Sequence, residues 1–243
     1  MTHKSMAAGL LGFLWLGVIA PAMPVEDTTK LKAALATLLP GTTPDSIKPS
    51  AIPGMYEIGY GATVLYMTLD GRYLLQGDLI DVERGENLTE VNRSQARLKI
   101  VSAIDENSMI VYAPKQVKHT ITVFTDPDCA YCRKMHGEMP AYNKQGIKMR
   151  YLAFPRSGVD TPSYEKSVSV WCAKDRAVAM TRAKRGEEMA KKTCDDPVQI
   201  HLQAARKIGI SGTPTLILED GSLIPGYVPP ERLAEILGAR TGG

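Results

Sequence analysis

TVFTDPDCAYCRKMH, residues 122–136, decides how the rest of the chain reads. The apolar, largely β-branched run of Ile121, Val123 and Phe124 predicts a buried strand. It breaks at Asp126-Pro127, and a helical pattern begins at the first cysteine. This puts Cys129 at a helix N-terminus and Cys132 one turn inside. Unpaired backbone N–H groups and the positive end of the helix dipole favour a thiolate there, and cysteines so placed fall from ~8.5 to roughly 3.5–7.5. Cys129 is therefore expected to be a reachable nucleophile and Cys132, more shielded, the resolving thiol.

A Cys-x-x-Cys spacing also serves haem attachment and zinc. Haem attachment is excluded because Arg133, not histidine, follows Cys132. Zinc needs two further ligands, and the other cysteines, Cys172 and Cys194, form no second close pair. A purely structural disulfide is the plain alternative. So short a loop removes little chain entropy, and the strand-then-helix setting favours redox chemistry.

Working outward, residues 1–22 have the layout of a secretory signal: a start carrying Lys4, an apolar run from Met6 to Ala20, and small residues in Ala20-Pro21-Ala22. The run falls short of the ~20 residues a spanning helix needs. Cleavage after Ala22 would leave a soluble chain in an exported, oxidising compartment where disulfides persist. The formal charge of +3 falls by one when Lys4 leaves, so nothing points to nucleic acid or to a polybasic membrane contact. The most basic stretch, Arg182 to Lys192, also holds Glu187 and Glu188 and reads as a solvated helical face.

After the signal, Thr28 to Leu39 predicts a short amphipathic helix with Leu31, Leu35 and Leu38 on one face, stopped by Pro40-Gly41. The period then changes to two. Strands are expected over 47–52, 55–60, 63–69 and 72–76, with an Asp70-Gly71 hairpin turn, and 79–82 adds one more. Such a unit (23–84) leaves an edge strand, which pairing with a second copy would cover. Residues 87–105 predict a helix with Leu88, Val91, Leu98, Val101 and Ile104 on one stripe, a semi-rigid connector (85–107) holding two units at a fixed distance.

The second unit, 108–243, opens with strands over 109–113 and 119–125. The Cys129 helix runs to about Asn143, and a strand over 148–154 pairs parallel through a right-handed crossover. Helices over 162–174, 177–186 and 195–208 follow, then a 215–218 and 222–224 hairpin and a helix from Pro229-Pro230 to Leu237. The order is that of a thioredoxin-like α/β domain with a helical insertion, preceded by a small α+β unit and a linker helix. Four cysteines permit three pairings. The exported setting and the separate task of the first pair favour Cys172 with Cys194, a bridge worth about 3 kcal/mol that pins the insert. Pro214, at the entry of a strand, marks a special turn, with a trans bond as the default.

These residues together resemble the periplasmic protein disulfide isomerases of the DsbC/DsbG family, nearer its DsbC branch. The match spans essentially the mature chain: FTDPDCAYCRKMH, RYLAFPR at 150–156, WCAKD at 171–175, and SGTPTLIL continuing to PGYVPP at 225–230. Carried over, the resemblance implies that Cys129 attacks, Cys132 resolves, Cys172 and Cys194 form the structural bridge, and Thr213-Pro214 is a cis-proline element facing the pair. It also implies a V-shaped homodimer joined through the N-terminal units around an apolar cleft. One departure is Ala130-Tyr131, where the family encloses Gly-Tyr; these residues tune the thiols.

The implied reaction is attack by Cys129 on wrong disulfides in unfolded or misfolded exported proteins. Rearrangement or escape through Cys132 follows, with an inner-membrane reductant of the DsbD type restoring the dithiol. No metal or organic cofactor is implied. Thr213 backbone would pair with extended substrate, and Tyr131 is a substrate-contact or packing aromatic. His136 reads as a packing histidine ahead of an acid or base, and His201 as structural. Competing readings are a monomeric thiol oxidase, a reductase of oxidised single cysteines, and a non-enzymatic holdase chaperone.

Overall fold

The computed structural model describes residues 27–241; the expected signal segment, 1–22, lies outside them. Helix α1 (Thr29–Leu38) buries Leu31 and Leu35 against a four-stranded antiparallel sheet of β1 (Ser46–Pro49), β2 (Met55–Tyr60), β3 (Thr63–Thr68) and β4 (Leu74–Leu75), in the order β1-β2-β3-β4. The two leucines pack with Tyr56, Ile58, Leu65 and Met67. Leu38 was expected on this face, yet it is 55% exposed because the helix ends there and the sheet does not reach it. The segment at 79–82 does not join this sheet. It forms a separate ribbon of β5 (Ile80–Asp81) and β6 (Glu86–Asn87).

The connector helix α2 (Leu88–Ser102) is capped by Asn87, whose side chain accepts from the Glu90 N–H at 2.9 Å. Its buried residues are Thr89, Arg97 and Val101; of the apolar stripe read from sequence, Val101 is buried and Leu88, Leu98 and Ile104 are half-buried, while Val91 is exposed. Polar side chains share the buried face because partners meet them: Thr89 Oγ1 lies 2.6 Å from Tyr66 Oη and accepts from the Leu79 N–H, and Arg97 donates to Glu90 at 2.5 Å.

A 3-10 turn (Glu106–Ser108) leads into the second unit. In chain order its elements are β7 (Ile110–Tyr112), β8 (His119–Thr125), α3 (Ala130–Gly137), α4 (Met139–Lys144), β9 (Ile147–Ala153), α5 (Pro162–Trp171), α6 (Arg176–Lys184), α7 (Val198–Ile208), β10 (Thr215–Ile217), β11 (Leu223–Pro225) and α8 (Pro230–Thr241). The sheet order is β11-β10-β8-β9-β7, with β8 and β9 parallel and the other pairs antiparallel. Central strand β8 is covered on both faces: Ile121, Val123 and Phe124 are fully buried. The expected single helix to Asn143 is broken at Glu138, where Pro140 in the first turn of α4 cannot continue the hydrogen-bond ladder of α3. Met135, Met139 and Tyr142 still face the core. In the insert, α5 and α7 are also shorter than expected, ending at Trp171 and beginning at Val198 after Pro197.

The two units touch directly. Ala62 N–H, in the β2–β3 turn, donates to the Lys207 carbonyl at 2.8 Å at the end of α7. Gly61 beside it has φ +58°, and a Cβ there would lie 2.2 Å from the same oxygen. Gly221, in the β10–β11 turn, has φ +81°, and a Cβ would lie 2.1 Å from Ser94 O of α2. The connector is thus packed onto the second unit from Ser94 onward, while its first turn packs on the N-terminal unit.

Candidate active site

Cys129 caps α3 with extended backbone (φ −78°, ψ 123°), and its sulfur accepts from the Cys132 N–H at 3.4 Å. The turn that delivers it is pinned from below. Asp126 is 1% exposed, and its carboxylate accepts from the Arg156 N–H (3.0 Å) and Nε (3.2 Å), from Ser163 Oγ (2.8 Å) and from the Asp128 N–H (2.8 Å). Burial alone would raise this acid. The four donors outweigh it and hold the carboxyl below the usual carboxylate range. Asp126 O in turn accepts from the Cys129 N–H at 3.2 Å.

The two thiols are pushed apart. Hydrogen bonding from the Cys132 thiol is the largest influence on Cys129; burial opposes it, and Thr213, the Cys132 N–H and the Arg156 charge add to it, so Cys129 comes down to about 5. Cys132, 1% exposed, is raised well above an ordinary thiol, first by burial and then by its bond to Cys129. One proton therefore resides on Cys132, and Cys129 carries the charge at neutral pH. The rate of Cys129 alkylation by iodoacetamide is expected to rise through an inflection near 5 and to be flat at neutral pH. An inflection at the ordinary thiol value of ~8.5 would contradict this assignment.

Exposure is where expectation and structure differ. Cys129 is only 3% exposed, because the Thr213-Pro214 segment covers it: its sulfur lies 3.2 Å from Thr213 O. The Thr213-Pro214 bond is cis. Pro214 O accepts from Gly226 N–H at 2.8 Å, which fixes the segment against the start of β10 and the end of β11. The Thr213 hydroxyl is buried with no partner among the described residues, which leaves it able to turn toward the Cys129 sulfur. Tyr131, between the cysteines, is 63% exposed. The Thr213 backbone thus lies against the Cys129 sulfur, and an exposed aromatic ring follows it two residues along.

Cys172 and Cys194 are bonded (S–S 2.03 Å, Cα–Cα 5.7 Å) and tie the end of α5 to the segment before α7, away from the reactive pair. His136 is buried, with Nε2 2.9 Å from Thr181 Oγ1 and its ring against Tyr112 and Tyr151; burial pushes it down to about 4. His201 is fully buried, its Nδ1 accepting from the Ala153 N–H at 3.2 Å, and burial likewise takes it to about 4. Both are packing groups.

Sequence reading missed Asp126, Arg156 and Lys184. Residues 182–192 are not one solvated helical face: α6 ends at Lys184, which is 4% exposed. Lys184 Nζ donates to Thr125 Oγ1 at 2.9 Å and to Asp126 O at 3.3 Å, directly beneath the cysteine turn. A signal was present, since Lys184 follows buried Met180 by four positions and so shares its helix face. Arg182 and Arg185 do remain exposed, paired with Glu187.

Comparison with known proteins agrees with this architecture. Residues 106–241 match a family described as a thioredoxin-like domain, and residues 22–90 match the disulfide bond isomerase protein N-terminal domain. The chain is 37% identical over 232 residues to the thiol:disulfide interchange protein DsbC of Escherichia coli K12, covering 96% of each chain. With DsbC of Dickeya dadantii it shares 39% over 213 residues, covering 88% of this chain and 87% of that one. Among solved structures, the catalytic domain of Proteus mirabilis ScsC superposes with a TM-score of 0.50 at 22% identity, covering 62% of this chain and 98% of that one, a likeness of fold. With relatives of this identity along almost its whole length and both domain types in the same order, the chain belongs to the DsbC family of thiol:disulfide interchange proteins and is a disulfide isomerase.

Proposed function

We propose that the chain works in the periplasm, after removal of residues 1–22, on wrongly paired disulfides of exported proteins, with Cys129 as the attacking sulfur and Cys132 as the resolving one. The observation that carries this is the asymmetry of the pair: an ionised sulfur at a helix N-terminus beside a shielded thiol that holds the proton. Cys129 attacks a substrate disulfide and forms a mixed disulfide, and the released substrate thiolate can attack elsewhere in the same substrate. When rearrangement stalls, Cys132 attacks Cys129, the substrate leaves reduced, and the pair is oxidised. The pair must then be reduced from outside, the task of an inner-membrane thiol reductant of the DsbD type. Tyr131 and the Thr213-Pro214 backbone supply contacts that favour extended, unfolded segments without demanding a sequence.

The division 23–84, 85–107 and 108–243 gives the first part a separate task. The last strand of its four-stranded sheet, β4, pairs only with β3 among the described residues, and Tyr73, Leu74, Leu75, Ile80 and Val82 are all more than a third exposed. An apolar edge of this kind is covered when two copies pair, giving a homodimer whose two reactive pairs face one bound client and whose apolar surfaces hold it in a chaperone-like way. Among the described residues no helix is long and apolar enough to cross a membrane.

The test is recovery of activity from a protein with scrambled disulfides, in a glutathione buffer, alongside the solution mass of the chain without residues 1–22. Catalysed recovery at a mass of two chains is expected. A single-chain mass, with activity only in inserting disulfides into reduced substrate, would replace this reading with a monomeric oxidase.

A further inference from the structure

Among the described residues, Lys184 is a buried cation near the reactive pair that the exchange scheme above does not use. The residue is 4% exposed, yet the two hydrogen-bond acceptors of its ammonium, Thr125 Oγ1 and Asp126 O, are both neutral. The Asp126 carboxylate forms no ion pair with it within 4.0 Å and accepts instead from Arg156, Ser163 and the Asp128 N–H. Burial of an ammonium without a carboxylate partner is costly, and such a group retains its charge only where another anion balances it. The anions available to it are the sulfurs of the pair, both of which favour its charge, and the Thr125 hydroxyl that Lys184 holds at 2.9 Å bears on Cys132 as well, favouring its thiolate. The groups facing the ammonium are Cys129 and Asp126 on the turn, Cys132, Arg133 and His136 on α3, and Tyr151 on β9, whose ring centroid is 5.6 Å away.

We propose that Lys184, acting through the Thr125 hydroxyl, takes the proton from Cys132 when Cys132 resolves the mixed disulfide. This rests on the exchange reading above. In the mixed disulfide Cys129 is bonded to substrate and carries no charge, so the anion that helped keep Lys184 protonated is gone. Lys184, already lowered to about 8 by burial, then releases its proton to solvent more readily. The neutral amine accepts the Thr125 hydroxyl proton while Thr125 Oγ1 accepts the Cys132 thiol proton. The new Cys132 thiolate attacks Cys129, the Cys129–substrate S–S bond breaks, the Cys129–Cys132 bond forms, and the substrate sulfur departs with the electron pair and is protonated by solvent. Two electrons pass from the dithiol to the substrate sulfurs. Lys184 is thus a positioning residue for the proton, matched to the step in which the shielded thiol must ionise.

The experiment is a two-phase reaction of the reduced full chain with an aromatic disulfide that releases a coloured thiolate. The first phase, one thiolate per chain, reports attack by Cys129; the second reports resolution by Cys132. In Lys184→Met and in Thr125→Val the second phase is expected to slow by roughly 100-fold, the usual weight of a positioned proton acceptor, while the first keeps its amplitude. In the wild-type chain the second phase should rise with pH and level off at or below about 8. This readout requires no variant to fold, and a merely structural lysine would not produce it. A wild-type second phase still rising in proportion to hydroxide beyond that point, or variants that resolve within about twofold of wild type, a change too small for lost proton transfer, would overturn the role of Lys184 alone. Absence of the first phase in the wild-type chain would overturn the exchange reading and this inference with it.

Discussion

Cys129→Ala is expected to bring recovery of a scrambled-disulfide protein down to the rate seen with no protein added. The reason is charge as much as reactivity. With Cys129 at about 5, nearly all of it is thiolate at neutral pH, whereas an ordinary thiol at ~8.5 is ionised to only a few per cent. Cys132 cannot substitute, because it is 1% exposed and burial holds its proton on. Cys132→Ala should behave differently: attack still occurs, but the covalent adduct with substrate accumulates and is visible on a non-reducing gel. Shuffling by Cys129→Ala at half the wild-type rate or more would remove Cys129 from the nucleophile's role, and equal adduct levels in both variants would remove Cys132 from the resolving one.

The second large effect is expected at Asp126. Asp126→Ala leaves the Ser163 hydroxyl and the Arg156 and Asp128 N–H groups without their acceptor in a site from which water is excluded. The Arg156 side chain, about half exposed, can turn to solvent. Three stranded donors at roughly 1 kcal/mol or more each give a loss of about 3 kcal/mol. Urea unfolding of the reduced chain measures it, and a loss under about 1 kcal/mol would mean the donors find other partners. The pH dependence has a definite sign. Because the folded carboxyl lies below its ordinary value, its contribution is complete above roughly 4 and fades as pH falls through the folded value. The gap between wild type and Asp126→Ala should therefore close in acid and stay constant from mildly acidic to neutral pH.

The placement of the Cys129–Cys132 pair was legible in the sequence because it is a local property. A β-branched run, a break at Asp126-Pro127 and a helical period starting at Cys129 are enough to point backbone N–H groups at one sulfur. The alternating strands of the N-terminal unit were legible for the same reason, as 55–60 shows, since a two-residue period needs no tertiary information. Where side chains depart from that periodicity the reading failed. Leu38 and Val91 satisfy a helical stripe but face solvent, and Arg97 and Thr89 break the stripe but are buried against partners. Pro140 split a helix that hydropathy alone carried through to Asn143.

By itself, then, the sequence determined the order of elements, the position of a cysteine sulfur at a helix start, and which cysteine follows it one turn later, because each depends on neighbours within a few residues. Only the tertiary structure decided what surrounds that sulfur. Thr213, 84 residues away, covers it. Arg156 and Ser163 anchor its turn from 30 and 37 residues away. Lys184 is brought onto Thr125, beneath the cysteine turn, across 59 residues and is buried there. The energy of a charge depends on dielectric and on counter-charge, and both are set by segments that meet only when the chain has folded.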